Sequence, residues 1–366
     1  VVVGTSDGFW WSSDGDTLEE LDLGLQPEHR NITAVCVSGL RVWIGGRGGW
    51  AAQVVEGGYE RLPIPEEASA FRISGLCHDV RTDCVWYVSS PGRGIGVIAP
   101  DGQVIHYGPR NEWGVPLWVG AIVFCLSDHR IRGGTQEGIG SDAVFEFIDG
   151  RFQLLCGSLD LTVNAIAEHK GEVFLGTSNG VFRLHREGVW PLCAGQALPC
   201  GIVTCLHFDS SGTMWIGTEG GGVGRYDGNL LLRMEIPGGP RHNNVRDVTT
   251  DANGLAWIAT EGGLLRYSPP EADLALSISI VAAGERIPGD DTGTAQRGAP
   301  IDLEFAISST SNSLRGSVFQ YRVLESDDAW CTTDRSCVRL GGLQPGRNNI
   351  ECRAVDIDFN YSKIIS

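Results

Sequence analysis

The chain has 366 residues, enough for one large domain and one small one. Its 42% hydrophobic content is that of a globular protein, and 28 basic against 45 acidic residues leave a formal charge of −17. That balance argues against a partner tracked through nucleic-acid phosphates, and no stretch approaches the ~20 apolar residues of a membrane span.

A short phrase recurs seven times from the first residues onward. It reads Val2-Val3-Gly4-Thr5, Trp43-Ile44-Gly45-Gly46, Trp86-Tyr87-Val88-Ser89, Arg132-Gly133-Gly134-Thr135, Phe174-Leu175-Gly176-Thr177, Trp215-Ile216-Gly217-Thr218 and Trp257-Ile258-Ala259-Thr260. The third residues are spaced by 41, 43, 46, 42, 41 and 42 positions. A period of ~40–45 residues built from short strands is that of a propeller blade, which buries its apolar face only by stacking on neighbours. The 51 glycines fall mostly as turns between apolar runs.

The repeat can be followed strand by strand. Alternating apolar runs at 32–37, 73–78, 121–126, 163–167, 203–208 and 245–250 predict six first strands. The phrase itself is the second strand of each copy, rich in aromatic and β-branched residues. Asp209-Ser210-Ser211-Gly212 and Asp251-Ala252-Asn253-Gly254 are tight turns between first and second strands. Because the first copy starts at its second strand, the natural chain is expected to begin upstream of Val1. Near Pro269-Pro270 the pattern stops. Alternating runs at 274–281, 301–307, 319–324, 338–340 and 349–355 then predict a β-sandwich, with Trp330 in its core. The expected class is all-β: a seven-bladed β-propeller over 1–272, then a sandwich over 273–366 that stops one strand short.

Several chemistries find no support. The eight His residues form no HExxH pair, no GxSxG elbow or P-loop occurs, and the DxxG turns lack the alternating oxygens of a calcium loop. No catalytic residue, metal or cofactor is expected. His78 and His207 lie in first strands and read as satisfied internal histidines. Cys36, Cys77, Cys125 and Cys205 sit in apolar runs and read as reduced thiols, which points to a reducing compartment. Cys331 with Cys337, and Cys193 with Cys200, are close enough in sequence for hairpin pairs, although spacing alone does not show a bond.

The segment Met214-Trp215-Ile216-Gly217-Thr218-Glu219-Gly220-Gly221-Gly222-Val223-Gly224-Arg225-Tyr226-Asp227 resembles the two-component regulator propeller repeat. The tail carrying Phe319-Gln320-Tyr321-Arg322-Val323-Leu324-Glu325, Trp330, Leu343-Gln344-Pro345-Gly346 and Arg353-Ala354-Val355-Asp356 resembles the immunoglobulin-like domain that follows such propellers. Together the resemblances cover nearly the whole chain. They imply a sensor of a signalling protein, commonly a periplasmic one reading a carbohydrate fragment; the cysteine content points instead to the cytoplasm.

Topology locates the expected binding surface. In a meander blade, the loop entering the first strand and the loop between strands two and three share one face. There the sequence gathers Arg47, Trp50, Arg93, Arg110, Trp113, Trp118, Glu219, Arg241, His242, Asn244 and Glu261. Trp43, Trp86, Trp215 and Trp257 keep the period and are core, whereas Trp50, Trp113 and Trp118 break it. Loop Trp beside Arg suits a stacked sugar or a protein hot spot. The expected partner is therefore a small molecule, a carbohydrate among the options, or a protein; a homodimer through the full-length protein is a further expectation. The main enzymatic alternative is a propeller lyase centred on His242 with Glu219 and Glu261.

Overall fold

The computed structural model describes residues 1–13, 17–67, 72–90, 94–108, 119–125, 130–135, 143–157, 161–186, 188–192, 201–234, 240–268, 273–282, 285–288, 299–309, 316–324 and 327–366. Regular structure among them is β, apart from two 3-10 turns, Pro27–His29 and Pro240–Asn243. The chain divides into two units, Val1–Leu231 with Glu235–Arg266, and Leu232–Met234 with Tyr267–Ser366.

Seven small antiparallel sheets follow one another along residues 1–267, each a meander in chain order. Blade 1 holds Val2–Thr5, Gly8–Trp11 and Glu19–Glu20. Blade 2 holds Ile32–Ser38, Arg41–Gly46, Trp50–Val55 and Gly58–Arg61, and blade 3 holds Arg72–Asp79, Cys84–Ser90, Gly94–Ile98 and Val104–Tyr107. Blade 4 is Val119–Cys125, Arg130–Thr135, Ala143–Ile148 and Arg151–Gly157; blade 5 is Val163–His169, Glu172–Thr177, Gly180–His185 and Gly188–Pro191. Blade 6 is Val203–Phe208, Met214–Thr218, Gly222–Tyr226 and Leu231–Met234, and blade 7 is Val245–Thr250, Ala256–Thr260 and Gly263–Tyr267. Successive inner strands pack on one another from blade 2 to blade 7. This is the β-propeller that the sevenfold phrase predicts, with three strands among the described residues of the first and last copies.

The phrase is scaffold, and each of its positions has a physical task. Trp43, Trp86, Trp215 and Trp257 are buried. Where the third position of the phrase is Gly, it is a notch for the next blade. A Cβ on Gly4 would stand 2.4 Å from Ile32, on Gly45 2.7 Å from Ile73, on Gly134 2.3 Å from Val163, and on Gly176 2.6 Å from Val203. The occupant is always the first β-branched residue of the next inner strand. The Thr closes the turn: Thr177 Oγ1 donates to Gly180 O at 2.8 Å and accepts the Asn179 N–H at 3.0 Å. Thr5, Thr218 and Thr260 donate in the same way to Gly8, Gly222 and Gly263.

Every inner strand of blades 2 to 7 carries a bulge near its start, at Thr33, Ser74, Gly120, Asn164, Thr204 and Arg246. Three of these side chains tie their blade to the next. Thr33 Oγ1 donates to Ile73 O at 2.6 Å, Asn164 Nδ2 to Val203 O at 3.0 Å, and Thr204 Oγ1 to Val245 O at 2.7 Å. At the other end of the inner strands, His78 is buried between Ser38 (Nδ1 to Oγ, 2.9 Å) and Asp83 (Nε2 to Oδ1, 2.9 Å), stacked on Trp43. His207 Nε2 accepts the Thr250 N–H at 3.1 Å. Both are internally satisfied, as their positions in the strands predict.

The second unit is a β-sandwich. One sheet runs Glu285–Pro288, Leu274–Ala282, Ile301–Ser309, Cys337–Leu340; the other runs Asp327–Thr333, Val318–Val323, Ile350–Val355. Ile278, Leu303 and Phe305 of the first sheet share one core with Phe319, Cys352 and Ala354 of the second. Two strands, Glu285–Pro288 and Asp327–Thr333, were not expected from the sequence. The second of these carries Trp330 onto the outer face, away from the core. There Arg322 and Arg353 stack on its ring at 4.7 and 4.3 Å, and Arg353 also covers Tyr361 at 4.6 Å. Trp330 is thus a surface-ladder residue, a correction to its expected place. Cys331 and Cys337 are free thiols on strands of different sheets. Cys193 and Cys200 lie outside the described residues.

Candidate functional site

Two series of positions define the loop face. The turn residue after the phrase is Ser6, Arg47, Ser90, Gln136, Ser178, Glu219 or Glu261; the residue entering the inner strand is Asn31, Arg72, Trp118, Thr162, Ile202 or Asn244. Within a blade the turn N–H donates to the entry carbonyl: Arg47 to Asn31 at 3.0 Å, Ser178 to Thr162 at 2.9 Å, Glu219 to Ile202 at 3.0 Å, and Glu261 to Asn244 at 3.1 Å. Main-chain bonds therefore fix the ends of these loops and leave the side chains to vary.

The most developed group lies at the entry to blade 7. Asn244 Nδ2 donates to Glu261 Oε2 at 2.9 Å, and Arg246 pairs with the same carboxylate. The hydrogen bond from Asn244, with the charges of Arg246 and Arg241, holds the Glu261 carboxyl below its usual range. His242 approaches Thr260 Oγ1 through Nδ1 at 3.3 Å, and its ring lies over Gly262, where a Cβ would stand 2.7 Å from Nε2. That glycine serves close approach of the imidazole. Asn244 also faces the blade 6 turn, 3.8 Å from the position of a Cβ on Gly220, next to the exposed Glu219. So Glu219, Arg241, His242, Asn244 and Glu261 come from one neighbourhood, as the sequence reading grouped them. Arg246 belongs with them and was missed. Its signal was present: at the bulge position the other five copies carry Thr, Ser, Gly, Asn and Thr.

Trp50 is withdrawn from the face. It is 2% exposed, packs with Phe9, Leu23, Ile32 and Ile44, and its ring lies where a Cβ on Gly46 would be, 2.4 Å away. Blade 2 exchanges the Thr and Gly of the turn for Gly46 and Trp50, so the Trp that breaks the period fills the space of the missing Thr side chain. Arg47 is exposed on the turn as expected. Arg93, Arg110, Trp113 and Trp118 lie outside the described residues. Among the described residues no three His, Cys, Asp or Glu side chains gather as a metal site, and no helix is long and apolar enough to cross a membrane.

The blades and their repeat define a β-propeller, and similar folds occur both in a two component regulator protein and in lyases. Residues 197–220 match the two component regulator propeller family. The extracellular domain of a putative hybrid two component system from B. thetaiotaomicron is similar over 100% of this chain and 53% of its own, with a TM-score of 0.61 and 18% identity. The present chain thus spans about half of that protein's solved length. A streptogramin B lyase is similar over 72% of this chain and 91% of its own, with a TM-score of 0.56 and 15% identity. A virginiamycin B lyase from Staphylococcus aureus gives 71%, 87%, 0.56 and 14%. At such identities the likeness is one of fold. No curated protein matches the chain in sequence.

Proposed function

We propose that the chain is a recognition module, the sensor part of a larger signalling protein, and that it binds its ligand through the loop face of the propeller. One observation carries this reading. The repeat rule is kept in most copies at the core, notch and turn positions, and charged groups break it at the loop turn and entry positions, above all around Glu261. The match to the regulator repeat and the fold shared with the extracellular domain of a putative hybrid two component system support a sensory role. In this reading the second unit is an immunoglobulin-like sandwich, in keeping with a chain that crosses between sheets after Ser309, Thr333 and Leu340.

A non-catalytic role agrees with the chemistry of the blade 7 group. Glu261 is committed to Asn244 and Arg246, and it is held ionised, which suits binding better than proton donation. Among the described residues no carboxylate hydrogen-bonds His242. Calorimetric titration of the chain with a panel of oligosaccharides tests the reading. Binding that His242→Ala and Glu261→Gln weaken at least tenfold supports it. Binding indifferent to both variants, or turnover of a lyase substrate that His242→Ala abolishes, would overturn it.

A further inference from the structure

Two arginines oppose each other at the junction of blades 2 and 3. Arg47, on the turn of blade 2, forms an isolated antiparallel bridge with Arg72, which enters the inner strand of blade 3. Each is the sole cation in its series: Ser, Gln or Glu fills the other turn positions, and Asn, Trp, Thr or Ile the other entries. Like charges placed directly opposite in a bridge destabilise it. The chain has 45 acidic residues against 28 basic ones, so a carboxylate partner is abundant in composition. Yet among the described residues neither guanidinium has an ion-pair partner, and both residues are exposed. By contrast Arg246, on the same face, is matched by Glu261.

We infer that Arg47 and Arg72 form a two-pronged site for an oxyanion, the carboxylate, sulfate or phosphate group of a small ligand. This rests on the reading of the loop face as the binding face, and it names the chemistry of one part of it. Two planar guanidinium forks, borne by residues bridged across blades 2 and 3, offer several N–H donors to one group of oxygens, and the bound anion removes the repulsion between them. The acidic character of the rest of the surface makes the site selective, since an anion is held only where two cations converge.

Inorganic sulfate and malonate are the probes, each titrated into the whole chain against sodium chloride at matched ionic strength, with thermal unfolding as readout. A saturable rise in Tm beyond the chloride control is expected for at least one of them. Arg47→Gln and Arg72→Gln should each abolish that rise. In low salt without the anion, each variant should melt no lower than the parent, because repulsion is relieved; this readout separates the site from a merely structural role. Cys331→Ser, an exposed thiol of the second unit, should keep the full response to the anion. Absence of any rise beyond chloride in the parent, or a rise that survives in both single variants, would overturn the inference. Such a failure leaves the blade 7 group untouched, whereas failure of the sensor reading appears as ligand affinity unchanged by His242→Ala.

Discussion

Gly217 and Val245 interlock across blades 6 and 7: a Cβ on Gly217 would stand 2.8 Å from Val245 Cγ1 and 2.3 Å from Cys205 Sγ. The notch has no slack, because both neighbours are buried. Gly217→Ala should therefore lower stability by about 1–3 kcal/mol through overpacking. Val245→Ala in the same background should recover part of the loss, and urea unfolding of the two single variants and the double variant measures this coupling. Strictly additive losses would show that the two residues do not share the space.

Trp50 and Gly46 offer a second coupled pair. Trp50→Ala removes a buried ring and should cost ~3–5 kcal/mol. Gly46→Thr alone collides with that ring. Joined to Trp50→Gly it restores the Thr–Gly turn of the other blades, and the pair should lose less than the sum of the two singles. Neither effect should depend on ligand. A Trp50→Ala chain of unchanged stability would return Trp50 to the surface.

Asp209 and Asp247 should respond to pH with opposite sign. Burial works against the Asp209 carboxylate, but hydrogen bonds from Ser211, Trp215 and Thr213 hold its carboxyl below the usual range. The stability it contributes is present above the unfolded-chain value and is lost as pH falls through the folded one. Although Asp247 is exposed, desolvation by the groups packed around it pushes its carboxyl up to about 6, opposed by the Val248 N–H. Its contribution is complete below the unfolded value of ~3.9 and is lost as pH rises through the folded one. Asp247→Asn should thus raise Tm at neutral pH and change little in acid, whereas Asp209→Asn should lower Tm at neutral pH and matter less in acid. Asp247 keeps access to solvent, which reduces the gain. Melts of both variants across this range check the signs.

Thiol reactivity offers a test of the sandwich and of blade 6. Cys331 and Cys337 are exposed, while Cys205 and Cys352 are buried. Burial pushes the Cys352 thiol up to about 12 and raises Cys205 as well. A neutral-pH pulse of an aromatic disulfide reagent, read by peptide mass spectrometry, should label Cys331 and Cys337 first. It should reach Cys205 and Cys352 only after unfolding. Rapid labelling of Cys205 in the native chain would contradict the packing of blades 6 and 7.

Much of the propeller is legible in the sequence because its tasks are local and repeated. Trp, Gly and Thr recur since core, notch and turn recur, and six inner strands can be counted before any is seen. The sandwich is less legible. Its Asp327–Thr333 strand alternates around Trp330, and one residue of register decides whether that Trp is core or surface. The ring stacks with Arg322 and Arg353 because it points outward, and no pattern in the seven residues announces the choice. In the candidate site, the blade 7 group was visible as unusual loop residues. Arg72 closes an unusual entry loop, 66–72, without standing out from it, and Arg246 sits at the edge of a strand, where it reads as part of a regular run. Aligning the copies position by position exposes both, since neutral residues fill the same place in the other inner strands.

The notch has one more consequence. Blades 2, 5 and 6 each carry a cavity on the second strand and the plug for their predecessor at the start of the first strand. The joint is therefore directional, and a copied blade arrives with both halves of its coupling. A gene that duplicates one such segment in frame adds a wedge that fits at either boundary without further substitution. Growth and shrinkage of the ring then cost little in core packing, and selection is left to act on the loops that ride above each joint.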